Sequence, residues 1–312
     1  MSVAAVVVSF NRLDYLKKCL RALEAQVRPL DEIIVVENGS TDGSADYVRR
    51  NHPGMTLFET GANLGGAGGF AWGVELALKH GHTSAWLMDD DAEPHTDALG
   101  PLLEAMESTP RPGFAAPLVQ DENGAIVPGN LPTISTDPLA QLAAQKLGGI
   151  ALAHATFVGV LVDLKLAAKM PLPFADFFIW FDDVEYTKRL ARESFGVHVV
   201  ASRMKHPNNA GVLDMGGRLY YFLRNNLWIT RLNPRPRPIT DRPFFRLAGL
   251  ALLALRQFSV AKNKKLWFSS TVRGLTDGMF RLPAIMQPGD LLRSLPSDKR
   301  AELTAWPGRP IA

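Results

Sequence analysis

Two periods of apolar spacing alternate along the first hundred residues. The short runs VAAVVVSF, EIIVVEN, MTLFET and SAWLM are each followed by a segment with apolar residues three and four apart: LDYLKKCLRALEAQ, SADYVRRN, FAWGVELALKHG and ALGPLLEAM. A strand covered on both faces reads as a continuous apolar run, and a helix between successive strands is the connection that parallel pairing requires. The βαβα order therefore predicts an α/β fold with a mostly parallel sheet, helices on both faces, and ligand-binding loops beyond the carboxyl ends of the strands. The polar clusters fall at those ends: Ser9 to Arg12, Glu37 to Asp42, Gly61 to Gly66, and Asp89 to Asp91.

From about residue 108 to 155 the pattern loosens into Pro, Gly and polar residues, which predicts long loops. Order returns in ATFVGVLVDLKLAAKM, a strand entering a helix. FIWFDDVEYTKRLARE follows, an aromatic segment with a helix starting near Asp182, and then the strand VHVVAS. The last third changes to apolar helical segments interrupted by Arg and Lys, so the expected division is a domain at 1–215 and a basic, mainly helical region at 216–312. Its uninterrupted apolar run, Leu247 to Leu255, is nine residues long, well short of the ~20 needed to span a bilayer. Such helices either lie in a membrane interface or form a subdomain with a solvated basic face.

Composition sharpens the division. The chain has 34 Lys and Arg against 31 Asp and Glu, yet residues 216–312 hold 17 basic and 5 acidic side chains and the rest is net acidic. A basic segment suits a membrane surface, phosphate-bearing ligands or nucleic acid, whereas clustered carboxylates suit metal ions. Nucleic-acid binding is not expected: there is no recognition helix or zinc spacing, and it would leave the acidic clusters unexplained. The single cysteine, Cys19, excludes an internal disulfide and a multi-cysteine metal site. With an opening run that lacks a basic leader, this suggests a cytoplasmic setting.

The chemistry concentrates in two acidic clusters. In extended backbone Asp89 and Asp91 would share one side and Asp90 the other, leaving two carboxylates able to hold Mg²⁺ or Mn²⁺ across a diphosphate. In FIWFDDVEY, aromatic groups beside Asp182 and Asp183 make a partly dry wall that raises a carboxylate toward general-base strength. One of the pair could equally cap the helix. His206, behind VHVVAS, can return to the same rim as an imidazole ligand. GANLGGAGGFAWG precedes a helix but lacks the GxGxxG spacing and a Walker lysine. Its glycines could let backbone amides approach a diphosphate.

VVVSFNR, IIVVENGSTDGS, NLGGAGGF, LMDDDAEP, FIWFDDVEY and the later KHP, in that order, resemble family 2 glycosyltransferases of the GT-A fold over roughly residues 3–210. NLGGAGGF and WFDDVEY look most like bacterial galactofuranosyltransferases, with rhamnosyltransferases close behind. The turn departs from many members in placing Glu37 where they have Asp. The resemblance implies a nucleotide-sugar pocket from Phe10, Arg12, Glu37, Asn38, Asn63, Gly65, Gly66, Gly68, Gly69, Asp89 and Asp90. It implies a Mn²⁺ or Mg²⁺ site from Asp89, Asp91 and His206, with Asp183, or else Asp182, as the base of an inverting transfer. Trp180, Glu185 and Arg224 would meet the acceptor, a glycan or a polyprenyl-diphosphate-linked sugar at the inner membrane face. The rival enzyme class, a sugar nucleotidyltransferase, would show a glycine-rich loop after the first strand, where this chain has SFNRLDY.

Overall fold

A computed structural model describes residues 1–208, 214–232 and 243–304. The expected alternation is present as β1 (Val3–Ser9), α1 (Leu13–Glu24), β2 (Glu32–Glu37), α2 (Ser44–Asn51), β3 (Thr56–Glu59), α3 (Gly65–Lys79) and β4 (Ser84–Asp89). After a two-residue β5 (Glu93–Pro94) come α4 (Leu99–Glu107), β6 (Phe114–Gln120), β7 (Thr133–Ile134), α5 (Pro138–Gln145), β8 (Ile150–His154), β9 (Val160–Asp163) and α6 (Leu164–Ala167). Next are α7 (Asp182–Glu193), β10 (Gly196–Lys205), α8 (Arg218–Leu232), α9 (Pro243–Val260), α10 (Lys264–Phe280), α11 (Asp290–Ser294) and α12 (Ser297–Thr304).

The strands form one sheet in the order β3-β2-β1-β4-β9-β6-β10-β8-β7, with β5 added beside β10. β3, β2, β1 and β4 pair in parallel, as do β6 and β10, while β9 runs antiparallel between β4 and β6. Every residue of β1 and β2 is buried, which is why neither strand alternates in sequence. Val3, Ala5 and Val7 face a core with Leu16, Leu20 and Leu23 of α1, and Ala4, Val6 and Val8 face Phe70 and Val74 of α3. Two glycines let α3 approach closely: a Cβ on Gly73 would lie 2.1 Å from Val6 and one on Gly69 2.4 Å from Val8.

Residues 108–155 are not long loops throughout, since β6, β7, α5 and β8 lie there. Pro117 hides β6: it interrupts an apolar strand, and the register of the facing β10 shifts just beyond it, between Val199 and Arg203.

The described residues form two compact units. The first contains 1–175, 182–208 and 285–304. Its last segment is fixed to α3 by the Glu75 carboxylate, which accepts bonds from the Gly289 and Leu292 amides at 2.7 and 3.3 Å. The second unit comprises Asp176–Phe181 with 214–232 and 243–284. Its core is Leu219, Leu223, Leu227 and Leu250, and α10 crosses α8 at Gly274, where a Cβ would meet the Tyr220 carbonyl at 2.8 Å. Among the described residues no helix is long and apolar enough to cross a membrane.

Candidate active site

In the first unit, the carboxyl ends of β1 and β4 lie side by side, Asp89 pairing with Val8. The strand stops at Asp89 and the chain turns, with Ala92 N donating to Asp89 O at 3.2 Å. Strict alternation therefore does not run through the triplet. Asp90 is buried under the loop after β1, its Oδ2 accepting from Ser9 Oγ at 3.0 Å and Phe10 N at 3.1 Å. Burial pushes its carboxyl up to about 6. Arg12 binds Asp91 Oδ2 and lies 3.6 Å from Asp90 Oδ1, so one guanidinium serves two acids expected on opposite sides.

Asp91 also meets the residue expected from the far end of the sheet. His206, anchored by its amide to Gln120 O, places Nε2 3.2 Å from Asp91 Oδ1. Burial opposes charge on Asp91, but His206 and Arg12 outweigh it and hold the carboxyl below its usual range. Beyond this ion-pair contact, Asp91 Oδ1 and His206 Nδ1 are buried polar atoms with no hydrogen-bond partner among the described residues. Asp89 is driven far up by burial and by the charges of Asp91, Asp90 and Asp182. Unsatisfied oxygen and imidazole donors within an excess of carboxylates fit a hard divalent cation such as Mn²⁺ or Mg²⁺.

Asp182 and Asp183 open α7, where carboxylates suit the helix dipole. Burial pushes both carboxyls up, and the charge of Asp183 adds to the rise at Asp182. Asp183 Oδ1 accepts from Val184 N at 2.6 Å, and Thr187 Oγ1 holds the Asp183 carbonyl at 2.6 Å. Asp182 is the acid whose charge reaches Asp89, so the two clusters share one electrostatic field.

Other candidates have local duties. Glu37 is buried, and its oxygens accept from the Gly39 and Ser40 amides at 3.1 and 2.7 Å, fixing its own turn. Asn38 Nδ2 donates to Gly65 O at 3.0 Å and Asn63 Oδ1 accepts from Gly65 N at 2.8 Å, bracing the start of α3. Gly69 is required by the packing against β1, a Cβ on Gly68 would strike Leu64 at 2.6 Å, and Gly66 is open. Phe10 is exposed beside this rim. Glu185 is buried and paired with Arg189 at 2.9 Å, so its charge is spent inside α7.

In the second unit, Phe178, Trp180 and Phe181 adopt φ of 64°, 66° and 71°, a left-handed run that bulky residues rarely accept. Asn225 Nδ2 holds this segment by donating to the carbonyls of Phe177, Ile179 and Trp180 at 2.9, 2.9 and 3.0 Å. Arg224, expected at the acceptor, is buried there instead: it bonds the Asp176 and Phe177 carbonyls and lies over Trp228 at 4.1 Å. Asn225 was not among the expected site residues; the available signal was the polar run Arg224-Asn225-Asn226 between the apolar YYFL and LWI stretches of α8. Trp180 is half-buried, under Arg218 at 5.7 Å.

A further histidine cluster lies at the amino ends of the strands, opposite the carboxyl-end rim, with donor atoms of Glu32, His80 and His82 within 4.8 Å of one another. His80 Nδ1 is 2.9 Å from Glu32 and Nε2 2.7 Å from Leu303 O. Both neighbours only accept, so both ring nitrogens carry protons. Burial opposes that charge, but Glu32 and the Leu303 carbonyl outweigh it and raise the imidazole.

Residues 4–164 match the family described as "Glycosyl transferase family 2", just over half of the chain. The chain belongs to this family. Galactofuranosyltransferase GlfT1 of Mycolicibacterium smegmatis is 31% identical over 238 residues, covering 70% of this chain and 76% of that protein. An N-acetylglucosaminyl-diphospho-decaprenol L-rhamnosyltransferase of Mycobacterium tuberculosis is 30% identical over 132 residues, covering 39% and 43%. Among solved structures, TarS 1–349 of S. aureus aligns with a TM-score of 0.59 at 13% identity, over 89% of this chain and 82% of that one. GalNAc-T7 with UDP, GalNAc and Mn²⁺ aligns at 0.61 and 13% identity, over 89% and 56%. The fold of this family 2 glycosyltransferase is therefore the expected GT-A arrangement of a largely parallel sheet flanked by helices.

Proposed function

We propose that the enzyme transfers galactofuranose from UDP-galactofuranose, with inversion, onto a hydroxyl of a cell-envelope glycan or a polyprenyl-diphosphate-linked acceptor at the cytoplasmic membrane face. The observation that carries the donor is the likeness to galactofuranosyltransferase GlfT1 across 70% of the chain. The likeness to a rhamnosyltransferase favours dTDP-rhamnose as the second reading, over a shorter stretch.

Phe10, Arg12 and the backbone of the β2 turn bound the nucleotide, with Asn63 and Gly66 toward the sugar. Asp91 and His206 would hold a divalent cation, with Asp89 as the third candidate ligand, and such a group would supply positive charge to offset that of the departing diphosphate. Asp183, made basic by burial, takes the proton of the acceptor hydroxyl as its oxygen bonds to the anomeric carbon opposite the leaving phosphate oxygen. One displacement with one base inverts the centre. Trp180 offers a ring face to the acceptor sugar, whereas Glu185 and Arg224 serve the fold.

A donor screen tests this: nucleotide release from UDP-galactofuranose, UDP-galactopyranose, UDP-glucose and dTDP-rhamnose, with Mn²⁺ and with EDTA. Preference for UDP-galactofuranose is expected. A preference for dTDP-rhamnose overturns the donor, and EDTA-resistant transfer overturns the cation.

A further inference from the structure

The second unit carries a site with no part in the chemistry above. Helices α8 and α10 border an open pocket of about 530 Å³ whose lining includes Arg218, Tyr220, Tyr221, Leu266, Ser270 and Arg273. Neither Arg218 nor Arg273 forms an ion pair among the described residues; each lies over a ring, Trp180 at 5.7 Å and Tyr220 at 5.4 Å. The nearby acid, Asp277, is taken by the Tyr220 hydroxyl at 2.8 Å and by Arg281 at 3.3 Å. The start of α8 adds the positive end of a fifteen-residue helix. Two uncommitted guanidiniums, hydroxyls and a helix start select a phosphate group.

The surface around the pocket says what the phosphate is attached to. Leu266 of the lining is itself exposed, and Phe268 and Val272 follow on α10. Among the described side chains of α9, Leu250 and Ala254 are buried, while Leu252 and Leu255 are 68% and 63% exposed. Helices this apolar on their outer face need a cover. Residues 243–276 contain six basic side chains and no Asp or Glu. A second copy packed on the same face would set these cations against one another, whereas an anionic bilayer complements both the charge and the apolar side chains.

We propose that the second unit binds an anionic phospholipid bilayer, seating a headgroup phosphate between Arg218 and Arg273 while the outer faces of α9 and α10 lie among the acyl chains. This surface stands whether or not the donor is UDP-galactofuranose. The test is co-sedimentation of the full chain with phosphatidylcholine vesicles and with vesicles that also contain phosphatidylglycerol, at low and high salt. Binding is expected only with phosphatidylglycerol, weakening as salt rises. Removing two charges in Arg218→Gln/Arg273→Gln should weaken it about thirtyfold, at about fivefold per basic residue near such a surface. Leu252→Glu/Leu255→Glu, on an exposed face, should abolish it with the melting temperature unchanged. Equal binding to both vesicle types, variants that bind as the parent does, or tight binding of inorganic pyrophosphate without vesicle binding would each overturn the proposal. So would a dimer that shields α9 and ignores vesicles.

Discussion

Replacing Asn225 with Ala should cost more activity than its distance in sequence from the acidic pair suggests. A left-handed φ costs a non-glycine residue about 1–2 kcal/mol, so Phe178, Trp180 and Phe181 together store about 3–6 kcal/mol. The amide nitrogen of Asn225 reaches three carbonyls with two hydrogens, so one hydrogen is shared. Its loss removes about 2–4 kcal/mol, counting net bonds and carbonyls left without a donor. Arg224 and the stacking of Phe178 on Tyr221 at 4.8 Å remain as anchors, but the strain is then no longer matched. Because this segment ends one residue before Asp182, kcat is expected to fall at least ~30-fold, equivalent to about 2 kcal/mol. Melting should drop by several degrees. Asn225→Asp keeps the shape but offers acceptors to carbonyls and should be no better. The measurements are steady-state transfer and thermal denaturation; Asn225→Ala with kcat within about twofold of the parent would refute the reasoning.

Three further outcomes are expected. Asp91→Ala should abolish transfer and also lower the melting temperature, since it strands Arg12 and His206, whereas Asp90→Ala, which frees Ser9 Oγ and Phe10 N, should lose about 1–3 kcal/mol of stability and less activity. Because burial raises Asp183 and its ionised form is the base, kcat/KM should rise with pH through a midpoint above the ordinary carboxylate range, and Asp183→Asn should remove that limb from the pH–rate profile. At the amino ends of the strands His80 is raised and Glu32 lowered, so their contribution to stability is present above the unfolded carboxylate range and fades as pH climbs through the folded imidazole value; melting followed against pH should lose that alkaline decline in His80→Gln.

β1, β2 and β4 were legible in sequence because they are buried on both faces and an uninterrupted apolar run has few other readings, and β3, β9 and β10 showed as shorter apolar runs. β6 and β8 were not, since Pro117 breaks one and the other sits among glycines and polar residues. The acidic clusters announced themselves by residue type, and His206 by following a strand that returns to the rim. Residue type could not separate working charges from those already paired. Arg189, which occupies Glu185, is four residues on and could have been read as its helical partner. The carbonyls that consume Arg224 belong to Asp176 and Phe177, nearly fifty positions earlier, and no local pattern reveals them. Asp90 and Asp91 share Arg12 because the strand ends at Asp89, two residues before the end of the alternation read through Asp91.

The short excursion of Asp176–Phe181 into the second unit bears on how this chain can be rearranged. Its carbonyls are held by Arg224 and Asn225, which lie beyond any cut placed at residue 215. A chimaera that kept residues 1–215 and borrowed another helical region would carry the aromatic bend without its tether. A functional exchange between relatives would therefore have to transplant the bend and its asparagine as one cassette.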